Sequence, residues 1–281
     1  MQPASGDDPE LEPKLECYIV DYNYRVPYIK EGKRLDHTAM LAYLRSVALM
    51  RDRVPTFHEY PFNLPAVAAM DGLHFHPKVT YIVGENGMGK STLLEAIAAA
   101  LGFNPEGGTI NFSFSTAETH SVLYQYIRTV RGVRKPRDGF FFRAESYYNV
   151  ASEVDSLGLW QSYGGKSLHH QSHGESFFAT FLHRFGGNGL YIMDEPEAAL
   201  SPFRQMALLR RIHDLVHEDS QFIISTHSPI VMAYPDSIIY KLTSEGVEET
   251  SLEETDHYMI TKEFVNRREA MLHELFADDE E

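Results

Sequence analysis

Several short stretches of this 281-residue sequence carry residue types at the spacing of phosphate chemistry. The first is YIVGENGMGKSTLLEAIAAALG, residues 81–102. Gly84, Gly89, Lys90 and Ser91 fill G-x-x-x-x-G-K-[ST] between an apolar run and a helical one. Glycine lets the backbone wrap closely enough for its N–H groups to face phosphate oxygens. The helix start adds positive potential. The loop Gly84, Glu85, Asn86, Gly87, Met88, Gly89, Lys90, Ser91 and Thr92 is therefore expected to hold a nucleotide. Lys90 is placed on the β- and γ-phosphates, Ser91 on magnesium and Thr92 at the α-phosphate.

The second stretch is LYIMDEPEAALSP, residues 190–202. Four apolar residues lead to Asp194 and Glu195. An aspartate at the tip of a buried strand suits magnesium, and a glutamate beside it suits polarising an attacking water. The third is SLHHQSHGESF, where Ser172, Gly174 and Glu175 precede an apolar helix. A serine and a glycine there read in two ways, as a helix cap or as a second anion site. One nucleotide does not need two phosphate sites on one chain. Two chains face to face do, each offering its second site to the other's γ-phosphate. The fourth is FIISTHSP, a buried strand ending at Ser225, Thr226 and His227.

The elements that must position these residues follow from periodicity. VTYIVG, GFFFRAES, GLYIMDEPE and QFIISTHSP read as buried strands. LECYIVDYNY and TINFSFS read as strands by alternation, and HSVLYQYIRTV is ambiguous. Helices are expected over DHTAMLAYLRSVALMRD, where Met40, Leu41, Leu44, Val47 and Met50 keep helical spacing, and over Lys90–Leu101 with Gly102 as C-cap. Further helices are expected over SHGESFFATFLHRF, with its Phe177, Phe178, Phe181, Leu182 and Phe185 stripe, over SPFRQMALLRRIHDLVHE, and over the amphipathic tail, about 261–278. Prolines 55, 61 and 65 break the chain, and 147–165 is weakly patterned. Strands alternating with helices around a phosphate loop mean an α/β fold with a mainly parallel central sheet, its ligands at the carboxyl ends of the strands.

Taken together, these motifs resemble those of the ABC-class ATPases, and SHGES looks like their signature motif. It lies 82 residues after Lys90 and 22 before Asp194. His227, 32 residues after Glu195, matches the class's switch histidine, which touches the γ-phosphate; AALSP matches the loop that crosses its dimer interface. GFFFRAES and KEFVNRREAMLHEL resemble small bacterial AAA-family, ABC-type ATPases with an SMC-like head. The resemblance implies a P-loop NTPase head with an antiparallel β portion and a helical signature subdomain, about 116–186, within one domain over 16–281. It implies ATP and Mg2+ as ligands, with Ser91 and Asp194 on the metal. It also implies ATP hydrolysis by Glu195 and His227, and a head-to-tail dimer with Ser172, Gly174 and Glu175 acting in trans. One departure stands out. Where the class carries a glutamine some fifty residues past the loop, this chain has FFFRAES, and Arg143 or Glu145 is the candidate substitute.

Composition narrows the role. The net charge of −15 argues against a surface built mainly for nucleic acid, although IRTVRGVRKPR, residues 127–137, concentrates five cations. That segment reads either as a solvated loop or as a contact for phosphates or an acidic partner. Residues 1–15 read as a disordered acidic arm. Cys17 is the only cysteine, which fits a reducing cytoplasm, and no apolar run reaches the ~20 residues of a membrane span. HFH (His74, His76) and HHQSH (His169, His170, His173) lack a matched ligand framework and read as incidental. The expected role is an ATPase that drives or gates a separate effector, of DNA-repair or phage-defence type. The alternatives are a transporter's ATP-binding subunit, in which Phe62 or Phe75 would stack on adenine, and a slow nucleotide-gated switch.

Overall fold

The computed structural model describes residues 42–110 and 121–277. Its strands are β1 (Leu44–Leu49), β2 (Leu73–His74), β3 (Val79–Gly84), β4 (Ile127–Arg131), β5 (Asp138–Arg143), β6 (Gly189–Asp194), β7 (Gln221–Ser225), β8 (Ser237–Thr243) and β9 (Gly246–Thr250). Its helices are α1 (Pro65–Ala68), α2 (Lys90–Leu101), α3 (Tyr147–Ser156), α4 (His173–Ala179), α5 (Pro202–His217), α6 (Asp256–Asn266) and α7 (Arg268–Leu275).

Six strands form the main sheet in the order β5-β6-β7-β3-β8-β9. The first five run parallel, and β9 closes one edge antiparallel to β8. Every residue of β3, β6 and β7 is buried, which is why these runs are apolar throughout instead of alternating. A small antiparallel sheet, β2-β1-β4, lies beside it.

The strand pleat sends alternate side chains to two cores. On one face Val79, Tyr81 and Val83 pack with Phe177, Leu208 and Ile212 of α4 and α5. On the other, Ile82, Ile192 and Ile223 pack with Leu93, Leu94 and Ile97 of α2 and with Leu44 and Val47 of β1. The FFF of β5 serves both: Phe140 and Phe142 face the first core and Phe141 the second. Phe142 meets Tyr147, Phe177 and Phe181 at centroid distances of 4.8–5.3 Å. Each such buried ring contributes up to about 3 kcal/mol of apolar transfer.

Three expectations change. The helix expected over 36–52 is, in its described part, strand β1. Leu44 and Val47 are both fully buried at a spacing of three, which mimics a helix. A bulge accounts for it, because the register passes from Leu44↔Arg131 to Ser46↔Val130, two residues of β1 against one of β4. Buried Gln221 holds the segment extended, accepting from the N–H of Tyr43 and Leu44 and donating to the Leu44 carbonyl. The weakly patterned 147–165 contains helix α3 and a 3-10 turn, Leu159–Tyr163. The tail helix begins earlier, at Asp256, breaks at Arg267 into α6 and α7, and buries none of its residues.

The ambiguous HSVLYQYIRTV is a 3-10 turn followed by β4. In SHGESFFATFLHRF, α4 passes into a π turn over Thr180–Arg184; Phe177, Phe181 and Phe185 are buried, while Leu182 is 37% exposed. The acidic arm, LECYIVDYNY with Cys17, and most of TINFSFS lie outside the described residues.

Candidate functional site

Strand register builds the site. Arg143, Asp194 and Ser225 are direct neighbours at the carboxyl ends of β5, β6 and β7. The phosphate loop leaves the end of β3, next along the sheet. Gly84 has φ +143°, and an added Cβ would stand 2.6 Å from the Leu242 carbonyl oxygen, so a side chain there meets backbone. Gly89, in the left-handed region, caps α2. Lys90 is buried, and its Nζ donates to the carbonyls of Gly84 at 2.7 Å and Glu85 at 3.0 Å. The loop is thus wrapped around its own ammonium group. Glu85, Asn86 and Gly87 are exposed at its tip.

Asp194 is 4% exposed, and its Oδ1 is buried without a hydrogen-bond partner. Burial pushes its carboxyl above the usual carboxylate range, against the pull of Ser91, Arg143 and Ser225. An orphaned carboxylate oxygen beside the Ser91 hydroxyl has the oxygen chemistry a magnesium ion takes, so these residues fit that ion. Glu195 follows in the left-handed region, φ +51°, an uncommon conformation for a glutamate. Its N–H donates to the Ser225 carbonyl, which turns the chain away from the sheet and leaves the carboxylate part-exposed.

His227 faces that carboxylate, its Nε2 3.5 Å from Glu195 Oε1. Its backbone N–H donates to Glu197 Oε1 at 2.7 Å, and its Nδ1 lies 2.7 Å from His257 Nε2. Burial, Lys90 and His257 hold the His227 imidazole below the ordinary histidine pKa. Burial also lowers Lys90, while the carboxylates of Glu195, Asp194 and Glu197 oppose that shift.

Arg143 reaches this centre. Its Nη1 donates to Glu95 Oε2 at 2.7 Å, its Nη2 to Glu145 Oε2 at 3.1 Å, and its Nε lies 4.0 Å from Asp194 Oδ2. Of the two candidate substitutes for the absent glutamine, Arg143 is the one beside Asp194; the Glu145 side chain is 80% exposed.

Ser172, Gly174 and Glu175 form a separate cluster. Ser172 caps α4 in a reciprocal box: its Oγ accepts from Glu175 N–H, and Glu175 Oε2 accepts from Ser172 N–H at 2.9 Å. A Cβ on Gly174 would stand 2.5 Å from the Ala199 carbonyl oxygen, so SHGES packs against AALSP. Among the described residues, no hydrogen bond or ion pair joins Ser172, Gly174 or Glu175 to Gly84–Thr92, Asp194 or His227.

The structure adds residues the motifs did not indicate. Glu95 is a buried carboxylate in the otherwise apolar run 93–101 of α2, one turn after Ser91. Glu197 is pushed above the usual carboxylate range by burial. His257 arrives from α6. Tyr60 is 62% exposed, with its hydroxyl 3.3 Å from Thr92 Oγ1, whereas Phe62 and Phe75 are buried in the core and cannot stack on a base. The cations of 127–137 lie on the surface; Arg134 pairs with Asp219, and Arg131 donates to the Ala100 carbonyl. His76 faces Asp236, and His169 meets Ser152 and Tyr148.

Residues 70–151 match the family model described as "AAA domain". Residues 167–233 match that described as "AAA domain, putative AbiEii toxin, Type IV TA system". The "Cytochrome c biogenesis ATP-binding export protein CcmA" of Legionella pneumophila is 24% identical over 198 residues, 67% of this chain and 93% of that protein. Both family matches and this relative are similar to the chain as ABC/AAA-type ATPases. Another relative, the "ABC transporter G family member STR2" of Medicago truncatula, is 21% identical over 206 residues, 64% of this chain and 28% of that protein. The solved SMC head domain from Thermotoga maritima is similar with a TM-score of 0.40 and 15% identity, over 74% of this chain and 99% of that one. The first family match takes in the phosphate loop and Arg143, and the second takes in SHGES, Asp194, Glu195 and His227. Among its described residues, no helix is long and apolar enough to cross a membrane.

Proposed function

We propose that this chain binds and hydrolyses ATP between two head-to-tail copies and uses the closing and opening of that dimer to drive or gate a separate partner. The observation that carries the reading is the orphaned, buried Asp194 oxygen at the tip of β6, beside a loop whose lysine is held by backbone carbonyls. A loop already folded around its ammonium exchanges those carbonyls for phosphate oxygens without rebuilding the strand or the helix. Lys90 then meets the β- and γ-phosphates, the loop N–H groups meet the remaining oxygens, and Thr92 meets the α-phosphate. The exposed ring of Tyr60 beside Thr92 offers a face to the base. Ser91 and Asp194 would hold magnesium, which would supply positive charge to the site. Glu195 positions the attacking water, and His227 Nε2 donates toward the γ-phosphate.

Ser172 and Gly174 complete the site from the second copy. Within one chain they make no bond to the phosphate loop, and the Ser172 hydroxyl, exposed at a helix start and donating to Glu175 Oε2 at 2.6 Å, turns from that carboxylate to the anion of the second copy. Arg143 takes the place of the usual glutamine, adding a fixed cation beside Asp194. Loss of the γ-phosphate removes the ligand the two copies share, and the difference between open and closed states is the output.

The test is the solution mass of Glu195→Gln by light scattering, with and without ATP and magnesium. A mass that doubles with ATP supports the dimer. A monomer with demonstrated ATP binding overturns it. The partner is of DNA-repair or phage-defence type in our reading; the toxin system named in the second family description supports it. A second reading, an ATP-binding subunit of a transporter, is favoured by Tyr60 beside Thr92 and by the export function in the relative's name. The two readings share their nucleotide chemistry. They part on whether the ATP-locked Glu195→Gln dimer brings its partner from the membrane or from the soluble fraction of a lysate.

A further inference from the structure

His257 is bound to the site residue His227 but belongs to none of the four motifs. It is the second residue of α6, a helix that buries no residue of its own. Two polar links near the start of α6 join it to the site and the sheet: His257 Nε2 to His227 Nδ1 at 2.7 Å, and Asp256 to Lys241 of β8 at 2.9 Å. The rings of His227 and His257 cross at 63° with centroids 4.7 Å apart, so contact runs through the nitrogen pair and not through stacking.

Two neutral imidazoles can share only one hydrogen across such a bond. If His257 donates from Nε2, His227 Nδ1 is the acceptor and His227 carries its hydrogen on Nε2. If His227 donates from Nδ1, its Nε2 is a bare lone pair. That nitrogen is buried without a hydrogen-bond partner and lies 3.5 Å from Glu195 Oε1. A lone pair aimed at a carboxylate is repelled, whereas an N–H aimed at it is attracted. The bond to His257 accommodates either tautomer, and the Glu195 carboxylate at the other end of the His227 ring selects the one with the hydrogen on Nε2, which makes His257 the donor. Burial and Lys90 also keep both rings below the ordinary histidine pKa, which favours the neutral pair.

We propose that His257 is a positioning residue for His227: its Nε2–H fixes the His227 ring and places the His227 hydrogen on Nε2, the nitrogen that faces Glu195 and the γ-phosphate position. The catalytic half of this statement rests on the ATPase reading above; the tautomer half does not. One consequence is mechanical. Displacing α6 breaks the hydrogen bond and releases the ring, so the exterior helix and the switch histidine are coupled through one bond.

The experiment is nitrogen-15 NMR of the full chain labelled on histidine, with the His227 signals assigned from His227→Gln. Wild type is expected to show the Nε2–H tautomer at His227. His257→Gln retains a side-chain N–H donor and is expected to keep that tautomer; His257→Phe keeps bulk without a donor and is expected to give a tautomer mixture. In steady-state ATP hydrolysis, His257→Phe is expected to lose about tenfold in kcat, the worth of one oriented hydrogen bond, with nucleotide affinity unchanged. His257→Gln is expected to recover most of that loss. A wild-type His227 protonated on Nδ1 overturns the proposal. So does an unchanged tautomer in His257→Phe, or a loss in that variant confined to thermal stability. Should wild type fail to turn over ATP, the ATPase reading falls and the tautomer measurement still decides the role of His257. If His257→Phe does not fold, the wild-type and His257→Gln spectra carry the decision.

Discussion

Arg143 Nη1 is held by Glu95 Oε2 at 2.7 Å, and the pair ties the end of β5 to the helix that follows the phosphate loop. Both side chains are largely buried, at 17% and 8% exposure. Breaking a buried pair by removing one partner strands the other charge, at a cost of about 3–5 kcal/mol. Arg143→Met and Glu95→Gln are each expected to lower stability to urea substantially. The double variant is expected to lose less than the sum of the two. Additive losses in that cycle would show that the pair is not coupled. If Arg143 also serves the site, Arg143→Gln, which supplies the side chain usual in ABC ATPases, is expected to hydrolyse ATP faster than Arg143→Met.

Gly174 gives a more local prediction. A Cβ there would stand 2.5 Å from the Ala199 carbonyl oxygen and 3.0 Å from Arg204 Nη1. The flexible arginine can yield, but the backbone carbonyl must shift. Gly174→Ala is therefore expected to push SHGES off AALSP while leaving the phosphate loop intact. ATP binding by the monomer should hold within about twofold, and ATP-dependent doubling of mass should be lost, since sub-ångström misplacement at a packed interface is felt at its full cost. A Gly174→Ala protein that dimerises like wild type would remove this contact from the interface.

How much of this was legible in the sequence varies residue by residue. Lys90 and Asp194 were legible because each pairs a fixed chemical pattern with an apolar strand buried on both faces. Residues 44–49 have the apolar spacing of a helix because a bulge interrupts the alternation of the strand. Glu95 left a signal, a lone carboxylate in the apolar LLEAIAAAL, but its partner Arg143 depends on β5 lying next to β6 and on their register. Periodicity carries neither. His257 left none, because its position depends on where an exterior helix docks.

The paired histidines set a pH dependence of stability. His227 and His257 are both held below the ordinary histidine pKa, first by burial. The unfolded chain therefore binds more protons than the folded one between those lowered values and about 6.5. Stability from the two rings is complete above about pH 6.5 and falls as the pH drops through their folded pKa values. The wild-type melting temperature is expected to fall between pH 7.5 and 5.5 by more than that of the His227→Gln/His257→Gln double variant. Equal pH slopes in the two proteins would rule the pair out as the source.

Ser172 offers two roles that one substitution series separates. Its side chain caps α4, and an N-cap is worth about 1 kcal/mol. It is also exposed, which leaves it accessible to a second copy. Ser172→Asp keeps a capping oxygen and adds a negative charge at the place proposed to meet the partner's γ-phosphate. Ser172→Arg loses the cap and adds bulk there; Ser172→Ala loses only the cap and the donor. If capping is the whole role, Ser172→Asp should match wild type in hydrolysis, and Ser172→Arg and Ser172→Ala should share a small loss of stability. If Ser172 acts across the dimer, Ser172→Asp should retain wild-type stability and monomer ATP binding, yet lose hydrolysis and the ATP-dependent doubling of mass in the Glu195→Gln background. Ser172→Arg should likewise bind ATP as a monomer without turning it over. Loss of binding in the monomer itself would place Ser172 in its own chain's nucleotide site and overturn the trans arrangement.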